Sequence, residues 1–249
     1  MLMSRIIPVL LIRNNGLIKT VKFREDKYLG DPINAVKIFN EKKVDEIILL
    51  DIDATTRARE PNYKLIKSIA AQCRSPLCYG GGIKSVETAK KILSLGVEKV
   101  AVSTEAIKNL FFLTELVTAI GAQSVVVVLD VKKKRLGGYE VMISNGSEKT
   151  GYAPIEFLKK IRGVGVGEIV INSIDNDGMM TGYPLDLFDK LKKHIDVPMT
   201  ILGGAGTEAD LKSAVARYGT IGVAAGSYFV YKGKYKAVLI DYPNNPRDI

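Results

Sequence analysis

Tryptophan is absent from this 249-residue chain, histidine occurs once and cysteine twice. One histidine and two cysteines are too few for a metal cage or a disulfide framework, so neither a metal nor another cofactor is expected. The scarcity of histidine also moves any acid–base chemistry onto Asp, Glu, Lys, Cys or Tyr. His194, in the segment LKKHIDVP at the end of a predicted helix, reads as a surface residue. Cys78 lies in an apolar run and reads as core, while Cys73 has no thiol partner suggested by spacing. Missing as well is any apolar run near the roughly 20 residues that a bilayer span needs. The stretch Ile6–Ile12 is apolar and follows Arg5, but Arg13-Asn14-Asn15-Gly16 comes next instead of a small-residue cleavage site. It reads as a buried strand and not as a signal peptide. The sequence thus predicts a cytoplasmic protein without membrane contact.

What is present is an ordinary globular composition, 47% hydrophobic and 25% charged, with a net charge of +9. That excess of positive charge suits an anionic partner. The lysines are scattered in pairs over predicted helix faces, and the single basic run, Lys132-Lys133-Lys134-Arg135, leads straight into a Gly137-Gly138 turn. A phosphorylated small molecule therefore fits better than nucleic acid.

Short runs rich in Val, Ile and Leu recur along the chain: Ile6–Ile12, Glu46–Asp51, Leu77–Tyr79, Lys99–Val102, Ser124–Leu129, Glu168–Asn172, Met199–Leu202 and Gly222–Ala225. They do not alternate with polar residues, which is the pattern of parallel strands buried on both faces. Helical periodicity separates them, over Asp31–Lys42, Tyr63–Gln72, Val86–Leu95, Leu110–Thr118, Pro154–Arg162, Leu185–His194 and Glu208–Arg217. Asp31-Pro32, Ser85 and Thr207 supply start signals. Eight strand units in such regular alternation predict one α/β (β/α)8 TIM barrel over residues 1–249. The two halves echo each other: Asp45–Asp53 resembles Gly167–Asp175, and Gly80-Gly81-Gly82-Ile83 is answered by Gly203-Gly204-Ala205-Gly206. Half-barrels of about 1–120 and 121–249 explain the shared offset.

Glycines that follow a strand let backbone N–H groups approach an anion, and in such barrels the site lies at the C-terminal strand ends. Gly81 and Gly82, with Ser103 and Thr104, form one candidate phosphate cradle. Gly203 and Gly204, with Gly226 and Ser227, form a second. The bland alternative is that these glycines only make tight turns. Carboxylates crowd the same face: Asp51 and Asp53, Asp130, Asp175 and Asp177. Each can act as acid or base, hold ligand hydroxyls, or cap a helix. Asp130 ends the run Val125–Leu129, where packing gives an acid nothing, so it is the strongest catalytic candidate. The repeat places its counterpart near the end of the first strand, where Pro8–Ile12 contains no acid.

The ordered motifs Arg5-Ile6-Ile7-Pro8, Lys19, Gly30-Asp31-Pro32, Leu50-Asp51-Ile52, Gly80–Ile83, Val126–Asp130, Ser173–Gly178 and Gly203–Gly206 resemble the cyclase subunit of imidazole glycerol phosphate synthase. The likeness covers nearly the whole chain and weakens after about Tyr231. It implies a barrel that takes ammonia from a HisH-type glutaminase subunit, passes it through its interior, and closes an imidazole ring on the far face. It places Lys19, Asp51 and Asp177 with the phosphate glycines in the substrate site. The charged ring at the ammonia entrance is matched by Arg5, Glu46, Lys99 and Glu168; read without the family, the four form a stabilising ion-pair layer. Of the family's two catalytic aspartates, the second is matched by Asp130 and the first is replaced by Leu11. Ser103 stands where Asn is usual and Ala101 where Ser often is, and Ala237–Pro243 is unlike the usual last helix. This combination resembles a paralogous branch associated with surface-polysaccharide genes. There the barrel and its glutaminase are thought to supply ammonia to a separate ATP-dependent amidotransferase, which makes acetamidino sugars from N-acetylated ones.

Overall fold

The computed structural model describes residues 3–243. Eight parallel strands form the closed barrel: β1 (Arg5–Arg13), β2 (Ile47–Asp51), β3 (Leu77–Gly80), β4 (Lys99–Val102), β5 (Val125–Lys133), β6 (Glu168–Ser173), β7 (Met199–Leu202) and β8 (Gly222–Ala225). Each pairs with its neighbours in sequence, and β8 returns to β1 with Arg5 opposite Gly222, so no barrel edge is left open. Seven helices cover the outside: α1 (Pro32–Glu41), α2 (Tyr63–Ala70), α3 (Val86–Leu93), α4 (Leu110–Ile120), α5 (Pro154–Ile161), α6 (Leu185–Lys192) and α7 (Glu208–Tyr218). The start signals act as local chemistry requires. The Asp31 carboxylate accepts from the N–H groups of Ile33 and Asn34, and Ser85 Oγ accepts from Thr88 N–H. Thr207 and Asp210 make a reciprocal capping box.

Two cores result. Outward strand residues such as Ile6, Leu10, Leu49 and Val127 pack beneath the helices, whereas Ile7, Val9, Ile48, Cys78, Val126, Val128, Val170, Leu202 and Ala224 fill the barrel interior. No helix among the described residues is long and apolar enough to cross a membrane.

Three features were not visible in the eight-strand reading. β1 and β5 both run on past the barrel rim and fold back as antiparallel ribbons, with Gly16–Val21 and Tyr139–Ile143 as the returning strands. These put Leu11 opposite Ile18 and Asp130 opposite Met142. Short helical turns, Thr104–Lys108 and Ser227–Val230, follow β4 and β8. Finally, the segment after β8 forms a two-stranded ribbon, Tyr231–Lys232 with Ala237–Val238, and then a tail. Tyr242 of that tail is 2% exposed, stacks on Phe229 at 5.6 Å, and donates its hydroxyl to the Ile6 carbonyl at 3.0 Å. Asp45 accepts from Ile6 N–H at 2.9 Å and lies 3.3 Å from the same phenol. The tail thereby fastens the starts of β1 and β2 together.

Replacing this buried ring by alanine removes both its packing and its hydrogen bonds. We expect Tyr242→Ala to cost about 3–5 kcal/mol in urea unfolding and Tyr242→Phe about 1 kcal/mol. A loss below about 1 kcal/mol for the alanine variant would show that the tail is not an integral part of the barrel.

Candidate functional site

The cleft at the C-terminal strand ends is built from the last inward residues of the strands and from the turns and ribbon that follow them. Asp130 of β5, Lys19, Asp51, Gly81, Gly82, Ser103, Thr104, Asp177 and Gly226 all line it. Gly203, Gly204 and Ser227 are not among its lining residues. At Gly204 φ is +116° and an added Cβ would lie 2.1 Å from the Gly182 carbonyl, so close backbone packing also requires glycine there. Gly81 is held in the same way against the Asp51 carbonyl, 2.3 Å from an added Cβ, yet it also borders the cleft. The cleft thus brings together all four residues of the first candidate cradle with Gly226 of the second.

Asp130 sits at the rim with Asn172 as its neighbour across β5 and β6. The Asn172 amide donates to Asp130 Oδ1 at 2.9 Å. Burial pushes the Asp130 carboxyl up to about 7, against the Asn172 bond that lowers it and aided by the charge of Asp177. At neutral pH it can both take and give a proton. The equivalent place in the first half holds Leu11, register-paired with Leu50, so an apolar pair stands where the second half has Asp130 and Asn172.

Lys19, 4% exposed, donates to Asp177 Oδ1 and to the Thr20 carbonyl, each at 2.8 Å. Thr20 Oγ1 donates to the other Asp177 oxygen at 3.0 Å. The lysine stem crosses Gly226, where an added Cβ would come within 2.8 Å of Lys19 Cε. Asp51 accepts from the N–H groups of Asp53 and Ala54 at 3.1 and 3.0 Å; burial raises its carboxyl in spite of those bonds and of Arg59. Asp53 instead pairs with Arg13 and Arg57, and Asp175 accepts from Lys133 N–H, so both serve local structure. The hydroxyls of Ser103 and Ser227 are buried without a hydrogen-bond partner among the described residues.

At the opposite end of the interior, Arg5, Glu46, Lys99 and Glu168 close into a ring. Arg5 bonds to Glu46 and, at 2.8 Å, to Glu168; Lys99 bonds to Glu46 at 2.8 Å and to Glu168 at 3.0 Å. The ring draws on the first, fourth and sixth strands and on Glu46, which immediately precedes the second. Burial alone would raise Glu168, but the hydrogen bond and charge of Arg5, then Lys99 and Thr200, outweigh it and hold the carboxyl below its usual range. Sequence reading missed Asn172, Thr20 and Thr200. For Asn172 a signal existed: it ends an apolar strand as Asp130 does, at the position that the repeat aligns with Leu50.

The Asp130 shift has a consequence for stability. The folded protein keeps a proton on this carboxyl that the unfolded chain releases between about pH 4 and pH 7, so the group removes stability as pH rises through that window. Asp130→Asn should match the wild type near pH 4 and exceed it by about 2–4 kcal/mol at pH 8 in urea titrations. Equal stability of the two proteins at both pH values would refute the buried, neutral carboxyl.

Comparison with known proteins agrees with this geometry. A family model described as histidine biosynthesis protein matches residues 5–236. A Vibrio vulnificus protein, provisionally named imidazole glycerol phosphate synthase subunit hisF3, is 56% identical over 245 residues, 98% of this chain and 94% of the relative. A Pseudomonas aeruginosa protein, provisionally named subunit hisF2 of the same synthase, is 49% identical over 244 residues, 98% of this chain and 97% of its own. The imidazole glycerol phosphate synthase subunit HisF of Alkaliphilus metalliredigens is 34% identical over 231 residues, 93% of this chain and 92% of the relative. The chain belongs to the histidine biosynthesis protein family, as a HisF-type subunit of the imidazole glycerol phosphate synthase kind.

Proposed function

We propose that this chain conducts ammonia from a partner HisH-type glutaminase through the barrel, in support of amidination of an N-acetylated sugar for surface polysaccharide. A separate ATP-dependent amidotransferase carries out the amidination. The observation that carries the reading is the pairing of Leu11, which cannot transfer a proton, with a complete ion-pair ring at the far end of the interior. Ring closure has lost one of its two acids, while the entrance is retained.

Physical chemistry supports such a conduit. Between ring and cleft the interior is lined by Ile7, Val9, Ile48, Val126, Val128, Val170 and Leu202. An apolar lining admits neutral ammonia, whereas ammonium would lose its hydration without a counter-charge. In the ring the carboxylates are the inner members, at 3% and 6% side-chain exposure, and the cations the outer ones, at 26% for Arg5 and 20% for Lys99. A partner docked on this face can draw a cation aside, and the buried carboxylates stay in place. On the cleft side, Gly81, Gly82, Ser103 and Thr104 are the residues to hold a phosphate, with Lys19, Asp51, Asp177 and Gly226 around the remainder of the ligand. Asp130 is the remaining acid–base group.

The discriminating assay combines the chain with its own glutaminase and measures imidazole glycerol phosphate. Loss of one positioned acid–base group lowers turnover by about a hundredfold to ten-thousandfold, so a rate normal for the histidine pathway would refute the proposal. In the complete amidinating system, Arg5→Ala should leave glutamine hydrolysis intact and lower incorporation of glutamine nitrogen relative to bulk ammonium.

A second reading is a histidine-pathway cyclase in which another acid, Asp51 or Asp177, covers for Leu11. Asp51 favours it by lining the same cleft with a carboxyl raised by burial. Complementation of a strain lacking the cyclase is the expected result under this reading, and its clean failure removes it.

A further inference from the structure

The ring of four charges has a fifth member. Thr200, on β7, has no solvent exposure. Its hydroxyl donates to Glu168 Oε1 at 2.5 Å, the oxygen that also accepts from Arg5 Nη2 at 2.8 Å. Arg5 Nη2 lies 3.5 Å from the same hydroxyl. Gly222 of β8, register-paired with Thr200, makes the space: an added Cβ there would lie 1.8 Å from Thr200 Oγ1. A β-branched side chain on a packed strand has little rotational freedom, so this donor is fixed.

The two carboxylates are consequently not equivalent. Glu46 receives its ring bonds from Arg5 and Lys99 alone, both of which are partly exposed. Glu168 receives Arg5 and Thr200 on Oε1, and Arg5 and Lys99 on Oε2. When Arg5 swings away, Oε1 of Glu168 keeps one donor, and that donor is Thr200.

We propose that Thr200 is a positioning residue of the ring: its hydroxyl keeps Glu168 satisfied and in place while Arg5 is displaced, and so makes opening possible. The inference deepens the conduit reading and rests on it for its purpose, but its geometry and its test concern this chain alone. Without the hydroxyl, the closed ring still satisfies Oε1 through Arg5, whereas the open ring leaves a desolvated carboxylate oxygen bare. Loss of Thr200 Oγ therefore disfavours the open state specifically. A residue with a merely structural role has the opposite signature, because loosening the barrel floor would promote opening.

The molecule carries its own reporter. Cys78 points into the interior and is register-paired with Lys99, directly above the ring. In a Cys73→Ser background, methyl methanethiosulfonate modifies this one remaining thiol, and mass spectrometry gives the rate. Arg5→Ala, which removes the moving part, should speed modification. Thr200→Val, equal in shape, should slow it about tenfold or more, the effect expected for one hydrogen bond to a charged acceptor, and Thr200→Ser should restore the wild-type rate. An unchanged or faster rate in Thr200→Val would overturn the proposal, as would a serine variant as slow as valine. Failure of glutamine-dependent amidination in the complete system would count against the conduit reading and leave this result as it stands.

Discussion

Two cations and two anions, each cation touching both anions, sit together where the barrel would otherwise be filled by an apolar layer. Removing one partner of a buried pair leaves an uncompensated charge, a loss of about 3–5 kcal/mol, so each member depends on the others. This constraint sets more than the floor. Inward residues recur every second position on a strand, so Arg5 fixes Ile7, Val9 and Leu11 toward the interior. Glu46 does the same for Ile48 and Leu50, Lys99 for Ala101 and Ser103, and Glu168 for Val170 and Asn172. A slip of one residue on any of these strands would send its charge to the helix layer and its cleft residue with it. The ring thus determines, at a distance, which side chains a ligand meets.

Seen from the cleft, the two halves of the barrel differ in polarity on a similar backbone plan. Both leave the rim through a ribbon that extends the first strand of the half, and both place a short helical turn after the last. At matched places the first half offers Leu11 beside Leu50, and the second offers Asp130 beside Asn172. A bound molecule would meet apolar side chains at the first of these places and, at the second, a carboxyl group held near its titration point.

Much of this is legible in the sequence. Unbroken Val, Ile and Leu runs marked the barrel strands, because burial on both faces removes alternation. Asp31, Ser85 and Thr207 announced helix starts through the donors they satisfy. Asp130 stood out because an acid at the end of five apolar residues has no packing role. What escaped was whatever depends on non-local partners. Thr200 is an unremarked β-branched residue in a strand until Gly222 makes room for it. At Gly203 and Gly204 the missing side chains also make room for the Ser173 and Gly182 carbonyls, a packing role that the sequence does not show. Tyr242 gave no signal at all, since its partners lie 236 and 197 positions earlier.

That last separation bears on how the molecule is made. A ribosome releases Ile6 and Asp45 long before Tyr242, and at about 5–20 residues per second the wait lasts on the order of 10–50 seconds. For most of that interval β1 has no β8 to pair with, and for all of it the start of β1 has no phenol to clasp it. The nascent barrel therefore carries an unpaired, apolar strand edge until its final segment arrives, which makes closure the step at which a chaperone or a neighbouring nascent chain would decide its fate.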